Sequence, residues 1–127
     1  MNQELTSSER VAILGASNKP DRYSYKAMHL LQEHGHEVVP VHPVIPEIDG
    51  IEVTPSLEDI EEPVDTLTLY VNPQVSSQLT DAIINLKPGR VIFNPGTEST
   101  DLQAQLDQAG IAYEEACTLV LLHSGQF

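Results

Sequence analysis

The stretch Arg10-Val-Ala-Ile-Leu-Gly15-Ala-Ser-Asn-Lys19-Pro-Asp-Arg22-Tyr-Ser-Tyr-Lys26 decides how this chain is read. An apolar strand, Arg10–Leu14, runs into Gly15 and the small residues Ala16 and Ser17, and a helix follows from Tyr25. A strand, a glycine turn and a helix start aim backbone N–H groups at one point, and the helix N-terminus adds partial positive charge. Three of the six basic residues, Lys19, Arg22 and Lys26, fall within eight positions, in a chain whose formal net charge is -13. The segment is therefore read as a phosphate-binding corner, with Ser24 as the helix N-cap.

Outward from this corner, short β-rich runs alternate with amphipathic segments. Strands are predicted at Arg10–Leu14, Glu37–Val41, Thr66–Val71, Arg90–Phe93 and Ile111–Glu114. Helices are predicted at Tyr25–Glu33, Gln74–Leu86, Thr100–Ala109 and Thr118–His123. Thr100 and Gln103 suggest a capping pair, and Gly110 a helix C-terminus. Residues 44–63 differ, with Pro46, Pro55, Pro63, Gly50 and seven acidic side chains. They read as a solvated insertion carrying a brief extended piece at Ile51–Val53 and a helical turn at Ser56–Ile60. Strands without strong polar alternation, separated by helices, predict one α/β domain. That domain is doubly wound: a parallel five-stranded sheet with helices on both faces, over residues 10–127. Ligands of such sheets sit outside the strands' carboxyl ends, where the strand order reverses.

Composition narrows the function classes. Nineteen acidic residues against six basic ones exclude a nucleic-acid-binding surface built on phosphate contacts. No apolar run approaches a membrane span; Leu119–Leu122 is four residues long. Residues 1–9 form a polar tail without signal-peptide character, and the single Cys117 suits a reducing, cytoplasmic setting.

At the predicted carboxyl edge, three strands end in one local signal: Val41-His42-Pro43, Val71-Asn72-Pro73 and Phe93-Asn94-Pro95-Gly96. Proline ends a ladder by removing a donor, and asparagine offers both donor and acceptor groups to a nucleotide-like ligand. The first turn has only the first glycine of a dinucleotide fingerprint. The second strand ends in His42, where NAD-binding domains place a carboxylate for the ribose hydroxyls; this disfavours NAD and leaves room for an extra phosphate. Cys117 and His123 are the one tempting nucleophile–base combination, and the histidines at 34 and 36 lack the partners a metal site requires. No catalytic residue and no metal ligand is assigned.

The pattern Val11-Ala12-Ile13-Leu14-Gly15-Ala16-Ser17, Lys19-Pro20, Arg22 and Ser24-Tyr25, then Val41 and Pro43, Val71-Asn72-Pro73 and Asn94-Pro95-Gly96, resembles the stand-alone CoA-binding domain proteins. These are Rossmann-type proteins similar to the amino-terminal domain of the succinyl-CoA synthetase alpha subunit. The resemblance implies CoA or acyl-CoA lying across the carboxyl edge. By position, Gly15, Ala16 and Ser17 would cradle the pyrophosphate, with Ser24 and Tyr25 in the same motif. Lys19 and Arg22 would balance phosphate charge, the 3′-phosphate included. His42 and Pro43 would border the adenosine, and Val71, Asn72, Pro73, Asn94, Pro95 and Gly96 would line the continuation. Two departures stand out: Cys117 is followed by Thr118 where many relatives have proline, and the synthetase's phosphohistidine domain has no counterpart in the sequence. The resemblance thus implies a small-molecule binding protein without ligase chemistry of its own. Two other readings stay open: an NADP-using oxidoreductase or redox sensor, and a regulatory subunit of an acyl-CoA enzyme. A homodimer is compatible with each.

Overall fold

Val11, Ala12, Ile13 and Leu14 are all buried, alternate residues serving opposite faces of one sheet. In the computed structural model, which describes residues 8–127, they form β1 (Arg10–Leu14). The chain continues through α1 (Tyr23–Glu33), β2 (Glu37–Val41), a small antiparallel hairpin of β3 (Glu47–Ile48) and β4 (Ile51–Glu52), and a 3-10 turn (Leu57–Asp59). Next come β5 (Thr66–Leu69), α2 (Pro73–Ser77), α3 (Thr80–Leu86), β6 (Arg90–Phe93), α4 (Thr100–Ala109), β7 (Ala112–Glu115) and α5 (Thr118–His123). The main sheet has five strands in the order β2-β1-β5-β6-β7, and every neighbouring pair is parallel. This is a Rossmann-like α/β sheet whose order reverses between β1 and β5.

Ala12 and Leu14 join Leu67, Leu69, Val91, Phe93, Leu102 and Leu106 in the core on one side, which includes Ala82 and Ile83 of α3. Val11 and Ile13 join Met28 and Leu31 of α1 and Leu122 of α5 on the other. Because both faces are buried there, β1 and β6 read as continuous apolar runs, whereas β5 alternates threonine and leucine although all four of its residues are buried.

Several boundaries differ from the sequence reading. Helix α1 starts at Tyr23, so Arg22 is its N-cap position; Ser24 is buried inside the first turn and caps nothing. Helix α4 is capped by Ser99, whose hydroxyl accepts from the Leu102 N–H, rather than by Thr100. Strand β5 ends at Leu69, two residues early, and β7 is displaced by one residue to 112–115. The predicted helix at 74–86 is broken at Gln78–Leu79 into α2 and α3. Hydroxyls cause this: Ser76, Ser77 and Thr80 donate to the carbonyls of Pro73, Gln74, Ser76 and Ser77, competing with the helical ladder.

Residues 1–7 of the expected polar tail lie outside the described residues. Glu9 is anchored: its N–H donates to His36 Nδ1 (3.0 Å), and its carboxylate accepts from the Thr66 hydroxyl (2.6 Å). The acidic side chains of the 44–63 stretch are exposed as expected, but the segment is not merely a solvated insertion. Ile48, Val53 and Leu57 are buried. Thr54 pairs with the outer edge of β2, donating to the Pro40 carbonyl (2.9 Å) and accepting from the His42 N–H (3.1 Å).

Among the described residues no helix is long and apolar enough to cross a membrane.

Candidate functional site

The carboxyl ends of β1, β2 and β5 open into a cleft of about 800 Å³ at the point where the strand order reverses. Gly15, Ala16, Ser17, Asn18, Lys19, Arg22 and Ser24 line one side, and Val41, His42 and Pro43 the second. Tyr70 and Val71, released by the early end of β5, line it with Val75 and Leu79 from the region of the helix break. Ile45 and the segment Pro55–Glu58 close the remaining wall.

The first turn is held by one acceptor. Gly15 and Ala16 both donate their N–H groups to the Val41 carbonyl, at 3.2 Å each. Gly15 sits at φ +92°, and a Cβ there would lie 2.8 Å from the Tyr70 carbonyl oxygen. Gly15 and Ala16 therefore shape the turn with their backbone and have no N–H left for a phosphate. The amides available for one are those of Ser17 and Asn18, which have no hydrogen-bond acceptor among the described residues, and those of the α1 start, which has no side-chain cap and no acidic residue in its first turn. Lys19 and Arg22 stand beside it, and Glu58 is the one acidic residue among the described residues lining the cleft.

Lys26 does not line the cleft; its ammonium stands 5.7 Å from the ring centroid of Tyr23, which does. At the second strand's end the ring of His42 is oriented by the backbone. Its Nδ1 accepts from the N–H groups of Val44 (3.0 Å) and Ile45 (3.1 Å). Burial pushes the Tyr70 phenol up to about 12, so its hydroxyl keeps its proton.

Six residues expected along the ligand path do not line the cleft: Tyr25, Asn72, Pro73, Asn94, Pro95 and Gly96. Asn72 caps α2, its Oδ1 accepting from the Val75 N–H (2.9 Å), and Pro73 is the first residue of that helix. Asn94 is buried and turned into the core. Its Nδ2 donates to Thr68 Oγ1 (2.7 Å) and the Leu69 carbonyl (2.8 Å), and its Oδ1 accepts from the Thr118 N–H (2.9 Å). Pro95 and Gly96 follow it as an exposed turn. The strand-end prolines thus mark three different jobs, of which only the first borders the cleft.

Tyr25 faces the hairpin. Its hydroxyl donates to the Asp49 carboxylate, which His29 Nε2 also meets at 2.8 Å. Asp49 has φ +49° at the hairpin tip, so this contact fastens β3–β4, and through it the outer cleft wall, to α1. The Tyr25 hydroxyl first, then the His29 ring, hold the Asp49 carboxyl below its ordinary value of 3.8. A lowered carboxyl contributes stability that is present above 3.8 and lost as pH falls through its folded value. Asp49→Asn should therefore melt below wild type at neutral pH, with the gap closing in acid; a gap independent of pH would show that the carboxylate does not fasten the hairpin.

Among the described residues no group of three or more metal-binding side chains comes together. Cys117 and His123 occupy opposite ends of α5, separated by about 9 Å of helical rise, and neither lines the cleft. Glu114 pairs with Arg90 (3.1 Å), and Glu115 accepts from Gln103 (3.0 Å). Sequence reasoning missed the 45 and 55–58 wall. Its one signal was the spacing of Ile48, Val53 and Leu57 within an otherwise acidic stretch.

Comparison with known proteins shows the same fold in other chains. A crystal structure of an uncharacterized protein superimposes with a TM-score of 0.90 at 42% identity, covering 95% of this chain and 99% of that one. The uncharacterized protein YneT of Bacillus subtilis (strain 168) is 36% identical over 66 residues, 52% of this chain and 49% of that protein; the match spans about half the length of that relative. The fold alone recurs in the dinucleotide-forming acetyl-coenzyme A synthetase 1 of Ca. Korarchaeum cryptofilum. There the TM-score is 0.72 at 18% identity, over 87% of this chain and 26% of the synthetase. The family model described as a CoA binding domain matches residues 9–123, nearly all of the described chain. The chain belongs to the CoA-binding domain family.

Proposed function

We propose that this protein holds CoA or an acyl-CoA in the switch-point cleft, as a binding domain rather than a ligase. The pyrophosphate lies at the start of α1, between Lys19 and Arg22. The adenosine extends toward His42 and Pro43, and the rest of the ligand runs along Val71, Val75 and Leu79. The observation that carries this reading is local charge. An uncapped, acid-free helix start and two basic side chains share one cleft, in a chain of net charge -13. Membership of the CoA-binding domain family supplies the ligand class.

Isothermal titration with CoA, 3′-dephospho-CoA, NAD and NADP in one buffer tests it. CoA should bind, and Lys19→Ala and Arg22→Ala should each weaken it at least about 10-fold, the size of a charge-assisted hydrogen bond. Unchanged affinity in both variants would remove the phosphate corner. Binding of NADP in place of CoA would redirect the search toward hydride chemistry.

A further inference from the structure

We propose that His42 selects for a phosphate borne on the ligand's ribose, acting as a hydrogen-bond donor through Nε2; this rests on the CoA reading above. The inference follows from the turn that the ring serves. Residue 43 is proline and has no N–H, so the next two amides, of Val44 and Ile45, turn back onto His42 Nδ1 at 3.0 and 3.1 Å. A ring nitrogen that receives two N–H donors carries no proton itself. The proton of the neutral ring is then fixed on Nε2.

No hydrogen bond within the described residues engages Nε2, and His42 lines the cleft. The ligand therefore meets a donor at this position and no acceptor. In doubly wound sheets the end of the second strand faces the ribose, where a carboxylate accepts from the sugar's hydroxyl groups. A fixed donor reverses that preference. It bonds a phosphate oxygen as a charge-assisted pair, about twice as strong as a neutral contact to a hydroxyl.

The variant that separates this role from the turn is His42→Asn. Asparagine Oδ1 occupies the position of Nδ1 and is a habitual acceptor for amides just downstream, while its side chain stops short of Nε2. The readout is the ratio of the dissociation constants of 3′-dephospho-CoA and CoA. In wild type the ratio should favour CoA, and in His42→Asn it should fall about 10-fold. An unchanged ratio in His42→Asn, or a wild-type ratio near one, overturns the inference and leaves CoA binding standing. Failure of wild type to bind either compound overturns both.

A second measurement needs no substitution. Long-range proton–nitrogen NMR spectra of the wild-type protein should show Nδ1 unprotonated and Nε2 protonated. The Nε2–H resonance should move downfield on adding CoA, and by much less on adding 3′-dephospho-CoA. A protonated Nδ1, or equal movement with both compounds, overturns the assignment.

Discussion

Asn94→Leu should lower the unfolding free energy by about 3–5 kcal/mol, because it strips hydrogen-bond partners from buried groups, a backbone amide among them. The asparagine, directly after β6, ties two further elements to that strand's end: Thr68 Oγ1 and the Leu69 carbonyl in β5 accept from its Nδ2, and the Thr118 N–H at the start of α5 donates to its Oδ1. Leucine fills similar space but leaves the Thr118 amide and one acceptor site of the Leu69 carbonyl unsatisfied. Each orphaned buried group costs about 1–3 kcal/mol, against a typical total stability of about 5–15 kcal/mol. Thr68 Oγ1 retains its contact with Thr118 Oγ1 (2.8 Å), which limits the loss. Denaturant midpoints at constant slope would measure it. A loss below about 1 kcal/mol would mean that water or a rearranged α5 satisfies the exposed groups.

Gly15→Ala should be nearly as costly, about 2–4 kcal/mol, for two reasons that add. Its φ of +92° is a conformation that alanine adopts only under strain. The new methyl would also sit 2.8 Å from the Tyr70 carbonyl oxygen and 2.9 Å from its carbon. Both are backbone atoms in a region tied to β1 by the Tyr70 N–H, which donates to the Leu14 carbonyl at 2.8 Å. They move only if the chain on either side moves. Thermal melting against wild type measures the loss. A shift of less than about 2 °C would show that the turn relaxes to accept both the methyl and the backbone conformation, and would overturn both reasons.

These two positions show what a single sequence reveals and what it conceals. The strands Arg10–Leu14, Glu37–Val41 and Arg90–Phe93 were legible because a parallel strand covered on both faces is written as an unbroken apolar run. Helix α4 was legible at its C-terminus, where Gly110 at φ +74° marks the end, while its cap is Ser99 rather than Thr100. The Gly15 turn declared itself by composition, and Lys19 and Arg22 by contrast with an acidic chain.

The direction of Asn94 did not. An asparagine before proline at a strand end reads the same whether it faces a ligand or the core. What turns it inward is Thr118, whose distance along the chain hides the contact. The break at Gln78–Leu79 was hidden for another reason: the apolar positions keep helical spacing across it, while hydroxyls decide the backbone. Tyr25 was misplaced because its partner, Asp49, belongs to a segment whose apolar anchors are sparse.

The pairing of Thr54 with β2 has a bearing on how this protein can change over evolutionary time. Pro40 offers no N–H, and its carbonyl and the His42 amide are both engaged by residue 54, so the carboxyl end of β2's outer margin is closed to a neighbouring chain. The same segment supplies Pro55–Glu58 to the cleft. Trimming this stretch to widen the cleft for a bulkier ligand would also bare a strand margin and invite self-association. Enlargement by point substitution at Ile45 or Leu57 avoids that hazard, so drift in ligand size should be recorded in side chains while the length of the insertion stays constant.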